Sequence, residues 1–145
     1  MIDRQEVRWP LRDGMPAQQA APAGQAGCRV WLMDTITKVA AEDAGAVVVS
    51  GSHGGTSSGH FALTAPLKLA VFNDAGVGKE GAGIAALAML QARGCAAVTV
   101  AHTSARIGDA RDTWDHGVLS HVNVAAQALG LAPGQALRDA VQRLR

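Results

Sequence analysis

Tyrosine is absent from this chain, and three tryptophans and two phenylalanines are its entire aromatic complement. Lys and Arg are scattered and the formal net charge is only +1. There is neither a stacking platform nor a basic stripe for nucleic acid. The same near-neutral balance removes the electrostatic case for an anionic membrane surface. No apolar run approaches the ~18 residues that span a bilayer. The opening "MIDRQEVRWP" carries acids and arginines early and lacks the apolar segment of a secretory signal. A cytoplasmic protein is the resulting expectation. The two cysteines, Cys28 and Cys95, are too few for a disulfide framework and too far apart for a local thiolate metal site. Both sit at the starts of apparent strands, where a small buried residue fits.

What is present describes an ordinary folded domain. Hydrophobic residues make up 48% and charged residues 17% of 145 positions, enough for one real core. Residues 1–27 end in "GMPAQQAAPAGQAG" and show no sustained period, so they read as a flexible or wrapping arm, with Trp9 and Leu11 as anchors. Residues 28–145 read as a single α/β domain. Strands are expected at "CRVWLMD", "AVVVS", "LKLAVF" and "CAAVTVA", the later ones apolar throughout, as when both faces of a sheet are covered. Helices are expected at "ITKVAAEDA" after a cap at Asp34 or Thr35, at "GAGIAALAMLQAR", near "VLSHVNVAAQAL", and at "ALRDAVQRLR". Alternation of this kind predicts a three-layer α/β sandwich with a mainly parallel sheet of about four strands.

In a parallel sheet, ligands bind beyond the carboxyl ends of the strands. Those ends here are "SGSHGG", "NDAGVGKEG" and "HTSARIGDARDTWDHG", and most chemically able residues of the domain fall in them. In the first, Gly51, Gly54 and Gly55 permit close backbone approach, and Ser52 and His53 project at the tip. In the second, Asn73 and Asp74 close the strand before Gly76, Gly78 and Gly81. These glycines match G-x-G-x-x-G, but three residues intervene after the strand and no ribose-binding acid follows the next one, so no dinucleotide is expected. Glu80 follows Lys79 where a P-loop needs Ser or Thr. A glycine-rich backbone with Lys79 beside it suits a carboxylate or phosphate. In the third, His102, Ser104 and Arg106 lie nearest the strand end, and Arg106 can clamp an anion. Asp109 or Asp112 is placed to orient it or to start a helix. Arg111 and Asp115 read as solvated charges, Trp114 as a packing anchor and His121 as structural. No H-x-x-x-H spacing supports a metal, and neither metal nor cofactor is expected.

The run "VVVSGSHGG … PLKLAVFNDAGVGKEGAGIAALAMLQARGCAAVTVA", over roughly residues 46–101, resembles the caspase-type cysteine peptidases and their CHAT-domain relatives. In those a strand ends in His-Gly, the next ends in Ala-Cys, and a Gly-rich stretch leads to a helix. The resemblance implies that His53 stands where the family has its catalytic histidine, with Gly54 behind it. The nucleophilic cysteine falls at Asp74 or Ala75, neither of which does thiol chemistry, so peptidase activity does not carry over.

The residues themselves point to a small-molecule enzyme of lyase, isomerase or hydrolase type, acting on a compact anionic substrate. His53 and Asp74 are its catalytic candidates; Ser52, Gly54, Asn73, Gly76, Gly78, Lys79, His102, Ser104 and Arg106 are its binding candidates. A non-catalytic ligand-binding or assembly subunit, descended from a caspase-like domain, is the alternative. The Ala-rich helix over 82–92 has few polar positions, so a homo-oligomer is expected as well.

Overall fold

In the computed structural model, which describes residues 2–7 and 29–144, a short strand precedes the expected ones. This β1 (Gln5–Val7) runs antiparallel to β2 (Val30–Met33), with Val7 opposite Val30. Then follow β3 (Val47–His53), β4 (Leu69–Asn73), β5 (Ala96–Val100) and β6 (Leu119–Val122). Spatial order equals chain order, and β2 to β5 are parallel while β6 returns antiparallel to β5. The expected four-stranded parallel sheet is therefore the centre of a six-stranded mixed one. Of the two edge strands that were missed, β1 lies between arginines and has only one apolar residue, Val7, and β6 lay inside a stretch assigned a helical period. Trp9, Leu11, Cys28 and the rest of the expected arm beyond Val7 lie outside the described residues.

Side-chain alternation along the strands splits the core in two. Val47, Val49, Leu69, Val71, Val98 and Val100 face one cluster, with Ala110, Trp114, Leu137 and Val141 of α3 (Ala110–His116) and α5 (Leu137–Gln142). Val48, Ala70, Phe72 and Ala97 face the other, with Ala62 of α1 (Thr56–Ala62) and Ala86, Leu87 and Leu90 of α2 (Ala85–Gln91). Both faces are covered, which is why these strands read as unbroken apolar runs.

Several helix boundaries differ from expectation. "ITKVAAEDA" forms two single 3-10 turns, Ile36–Lys38 and Ala41–Asp43. Thr35 caps the first as foreseen, but β-branched Ile36, Thr37 and Val39 disfavour continuation. The Asp43 carboxylate also folds back onto the Ala40 N–H at 2.9 Å. "TSSGHFA", outside every expected helix and strand, is α1. Its low intrinsic propensity is overcome by packing, since Gly59 lies so close to Met89 that an added Cβ would stand 2.7 Å from its sulfur. "VLSHV" is a strand, not a helix, and only Val124–Ala128 (α4) continues helically.

The N-terminal strand is held by charge as well as by pairing. Arg4 makes a bidentate contact to Asp43, at 2.7 and 2.8 Å, and its guanidinium stacks 4.6 Å from the Trp31 ring centroid. Asp43 is 1% exposed. Hydrogen bonding from Arg4 holds its carboxyl below the ordinary value, against the opposing effect of burial. A carboxylate depressed on folding contributes stability that is complete above its unfolded pKa, about 4. That contribution is lost as pH falls through the lower folded value. Arg4→Leu strands the carboxylate and is expected to cost about 3 kcal/mol at pH 7. The deficit should shrink on acidification to pH 3 in urea titrations; a pH-independent deficit would mean that Arg4 acts by packing alone.

Candidate functional site

At the carboxyl edge of the sheet, the segment after β5 turns back and straps across the ends of its neighbours. The Asn73 amide donates to Ala105 O at 3.0 Å. Gly108 N–H donates to Gly51 O at 2.7 Å, and Ala110 N–H to Asp34 Oδ1 at 2.9 Å. The strap crosses β3 where its pairing to β4 is irregular: Val49 pairs with Val71, yet His53 pairs with Asn73. Gly51 is obligatory at this crossing, because a Cβ there would collide with Gly108 and Asp109 backbone. α3 then begins at Ala110, capped by Asp109, whose carboxylate accepts from Asp112 N–H at 2.9 Å.

The register sets His53, Asn73 and Val100 side by side on β3, β4 and β5. Asp74 and His102 lie just beyond, on adjacent strand ends. Asp74 is buried, and its Oδ1 accepts from the His102 ring Nδ1 at 3.1 Å, from His102 N–H at 3.1 Å and from Gly76 N–H at 2.8 Å. Burial pushes the Asp74 carboxyl up, but bonds from Gly76, the Ser120 hydroxyl and His102 together hold it below the ordinary value. It is therefore an ionised acceptor near neutral pH. That fixes the neutral His102 ring with its proton on Nδ1 and leaves Nε2 as the free acceptor. The His102 side chain is 54% exposed, so this nitrogen is open to a ligand.

His53 has the opposite polarity. Its Nδ1 accepts from Gly55 N–H at 3.1 Å, so a neutral ring carries its proton on Nε2. Gly55 is packed so closely that an added Cβ would stand 2.5 Å from the ring. Beside His53 opens a groove of about 410 Å³ between the first turns of α1 and α2, flanked by Thr56, Ser57, Ala75, Val77 and Gly78. The loop from Ala75 to Gly78 touches the surroundings of both imidazoles. Val77 lines the groove together with His53, and Gly76 lies against the His102 ring.

That loop is strained. Six residues between Ala75 and Gly81 have positive φ, including Ala75 (52°), Val77 (68°) and Glu80 (58°). Left-handed backbone costs roughly 1–2 kcal/mol at a non-glycine residue, more for a β-branched one. It persists because Val77 is clamped from both sides: its N–H donates to Asp74 O at 2.7 Å and its carbonyl accepts from Gly83 N–H at 2.6 Å.

Not every expected residue joins this rim. Asn73 is buried and positions both loops, bonding Ala105 O and, through Oδ1, Ala75 N–H at 2.8 Å. Ser52 Oγ accepts from Ile36 N–H at 3.0 Å, and Ser104 Oγ bridges Ala101 O and Val118 N–H. Both hydroxyls are engaged in holding backbone. Gly54 sits where two segments touch, as its Cβ would stand 2.6 Å from Gly83 O. Arg106 is on the strap but lines a separate depression with Ile2, Asp34 and Arg111. Lys79 and Gly78 are exposed on the loop itself. Among the described residues no three metal-ligating side chains converge, and no helix is long and apolar enough to cross a membrane.

Two further residues at the rim went unseen in the sequence, Thr99 and Ser120. Their hydroxyls meet at 2.9 Å, and Ser120 adjoins Asp74. Leu119–Ser120–His121–Val122 does not alternate apolar with polar, so the sequence carries no clear strand signal there, and the helical period assigned to it scattered these side chains over a false surface. No protein-family model matches the chain, and comparison with curated proteins and with solved structures likewise found no match.

Proposed function

We propose that the chain is an acid–base enzyme acting on a compact anionic small molecule, with His102 as general base and His53 as the opposed acid. The observation that carries this is the buried Asp74 carboxylate spending Oδ1 on the exposed His102 ring. Asp74 is the positioning group. Held below its ordinary value, it does not take up the proton itself but stabilises the imidazolium that forms on His102. A substrate resting on the Ala75–Gly78 loop offers a proton to His102 Nε2 on one side and receives one from His53 Nε2–H on the other. Abstraction and return on two different substrate atoms is the proton balance of a lyase or isomerase; with water as the proton source it becomes a hydrolase. Lys79, exposed on the same loop, is the cation nearest in sequence to the groove lining and supplies the attraction for a carboxylate or phosphate.

The test is a turnover screen of small hydroxy acids, keto acids and phosphate esters, followed by His102→Gln and His53→Gln on any substrate found. Each variant is expected to lower kcat about 10²–10⁴-fold with an unchanged melting temperature, because both side chains are exposed. Full turnover in both variants would end the acid–base assignment. Binding without turnover throughout the panel would favour a non-catalytic ligand-binding subunit.

A further inference from the structure

The loop beside His53 keeps a side chain where its backbone favours none. Val77 has φ of +68°, between Gly76 at +77° and Gly78 at +74°. Glycine fills the left-handed positions on both sides, and for a β-branched residue that conformation is a genuine outlier. Two ordinary reasons for keeping the valine fail. Its backbone bonds, from Val77 N–H to Asp74 O and from Gly83 N–H to Val77 O, use no side-chain atom and are equally open to glycine. Nor does it fill the core: Val77 is half-buried, and neither hydrophobic cluster among the described residues includes it. What remains is the isopropyl group, which lines the groove of about 410 Å³ beside His53. Strain kept where packing does not need it points to function.

The rest of the lining shows what the valine faces. Ala75, Ala82 and Ala85 line the groove with it, Thr56 and Ser57 add two hydroxyls, and among the described residues there His53 is the only titratable one. Such a lining suits an uncharged aliphatic group and offers no fixed charge to an ionic one. We infer that Val77 is a specificity-determining residue, whose isopropyl group limits the length of aliphatic chain the groove takes up, so that the substrate is a short-chain aliphatic acid. This deepens the acid–base reading given above and rests on it: the aliphatic end lies in the groove and the anionic end outside. The wall is rigid, because the Val77 N–H and carbonyl are both pinned, at 2.7 and 2.6 Å. Its Cβ cannot swing away from a longer chain, so added length is rejected rather than accommodated.

Straight-chain carboxylates from acetate to octanoate, titrated into the ¹⁵N-labelled full chain, are the probe. Binding is read from the amides of Gly55 and Gly83, which border the groove. Wild-type affinity is expected to rise roughly two- to fourfold per methylene, then to fall once the chain outgrows the groove. Val77→Gly is expected to move that maximum to longer chains, and Val77→Ile to shorter ones. Val77→Gly is also expected to melt no lower than wild type, because relief of strain offsets the entropy that glycine adds to the unfolded chain. The same length preference in all three proteins would overturn the inference. So would shifts confined to residues away from the groove, or no binding by any member of the series. A Val77→Gly protein melting well below wild type would make the isopropyl group a packing element and overturn it too. If the maximum moves with residue 77 while the turnover screen stays empty, the groove assignment stands and the enzymatic proposal falls. If turnover is found and depends on His53 and His102 while the length preference ignores residue 77, the enzyme stands and this inference falls.

Discussion

Gly83→Ala is expected to cost more than about 4 kcal/mol, the range reserved for a named steric or burial failure. A Cβ at this position would collide with the carbonyl oxygen of Asp74 and stand 3.0 Å from that of Val77. Neither obstacle is a flexible side-chain end. Asp74 O accepts the Val77 N–H and Val77 O accepts the Gly83 N–H, so moving either breaks the clamp that keeps the left-handed loop in place. Equilibrium urea unfolding followed by circular dichroism measures the loss. Gly78→Ala is the informative contrast. Gly78 has φ of +74° and ψ of −170°, a region all but reserved for glycine, but nothing within 4 Å of its Cβ, so only backbone strain is added, about 1–3 kcal/mol. If the two variants lost similar stability, backbone contact at Gly83 would not be what shapes the rim.

Asn123→Leu is expected to cost about 4 kcal/mol or more by the same measurement. Asn123 is 8% exposed and lies between β6 and α4, and its side chain ties together the start of β5, α2 and α4. Its oxygen accepts from Ala97 N–H at 3.1 Å and Ala126 N–H at 2.9 Å, and its amide donates to Leu87 O and Cys95 O at 3.2 and 2.9 Å. Leucine fills the space but orphans two donors and two acceptors, each worth about 1–3 kcal/mol when buried unpaired. Asn123→Asp tests the amide half separately. It keeps the acceptor and aims a carboxylate oxygen at two carbonyls, so a comparable loss is expected. A loss below about 1 kcal/mol in the leucine variant would mean that water replaces the amide and that Asn123 is not a hub.

Asn123 bonds at Cys95 and Ala97, the end of β5 away from His102. Of the two variants, Gly83→Ala bears on the site, because the rim is assembled by backbone packing more than by side chains. The residues that gather there were recognisable in advance: His53, Asn73, Asp74 and His102 each follow an apolar run that can only be a covered strand. Their partnerships were not. Asp74 read as a second acid/base or as the orienter of His53, whereas burial and three hydrogen bonds make it the holder of His102. Arg106 read as a neighbour of His53 because both follow strands, but the strap carries it over to the Asp34 side.

The sequence by itself determined the class of fold and the edge of the sheet on which its reactive side chains lie. Periodicity and apolar runs are local, and a parallel strand buried on both faces cannot be written with many other residues. Only the tertiary structure decided that "TSSGHFA" is a helix, that "LSHV" is a strand, and which of the edge histidines has a carboxylate behind it. Those outcomes depend on contacts between residues far apart in the chain, such as Gly59 with Met89 or Asp74 with His102. Weak local preferences yield to such contacts, because packing and buried hydrogen bonds outweigh the few tenths of a kcal/mol per residue that separate helix from strand in most of these positions.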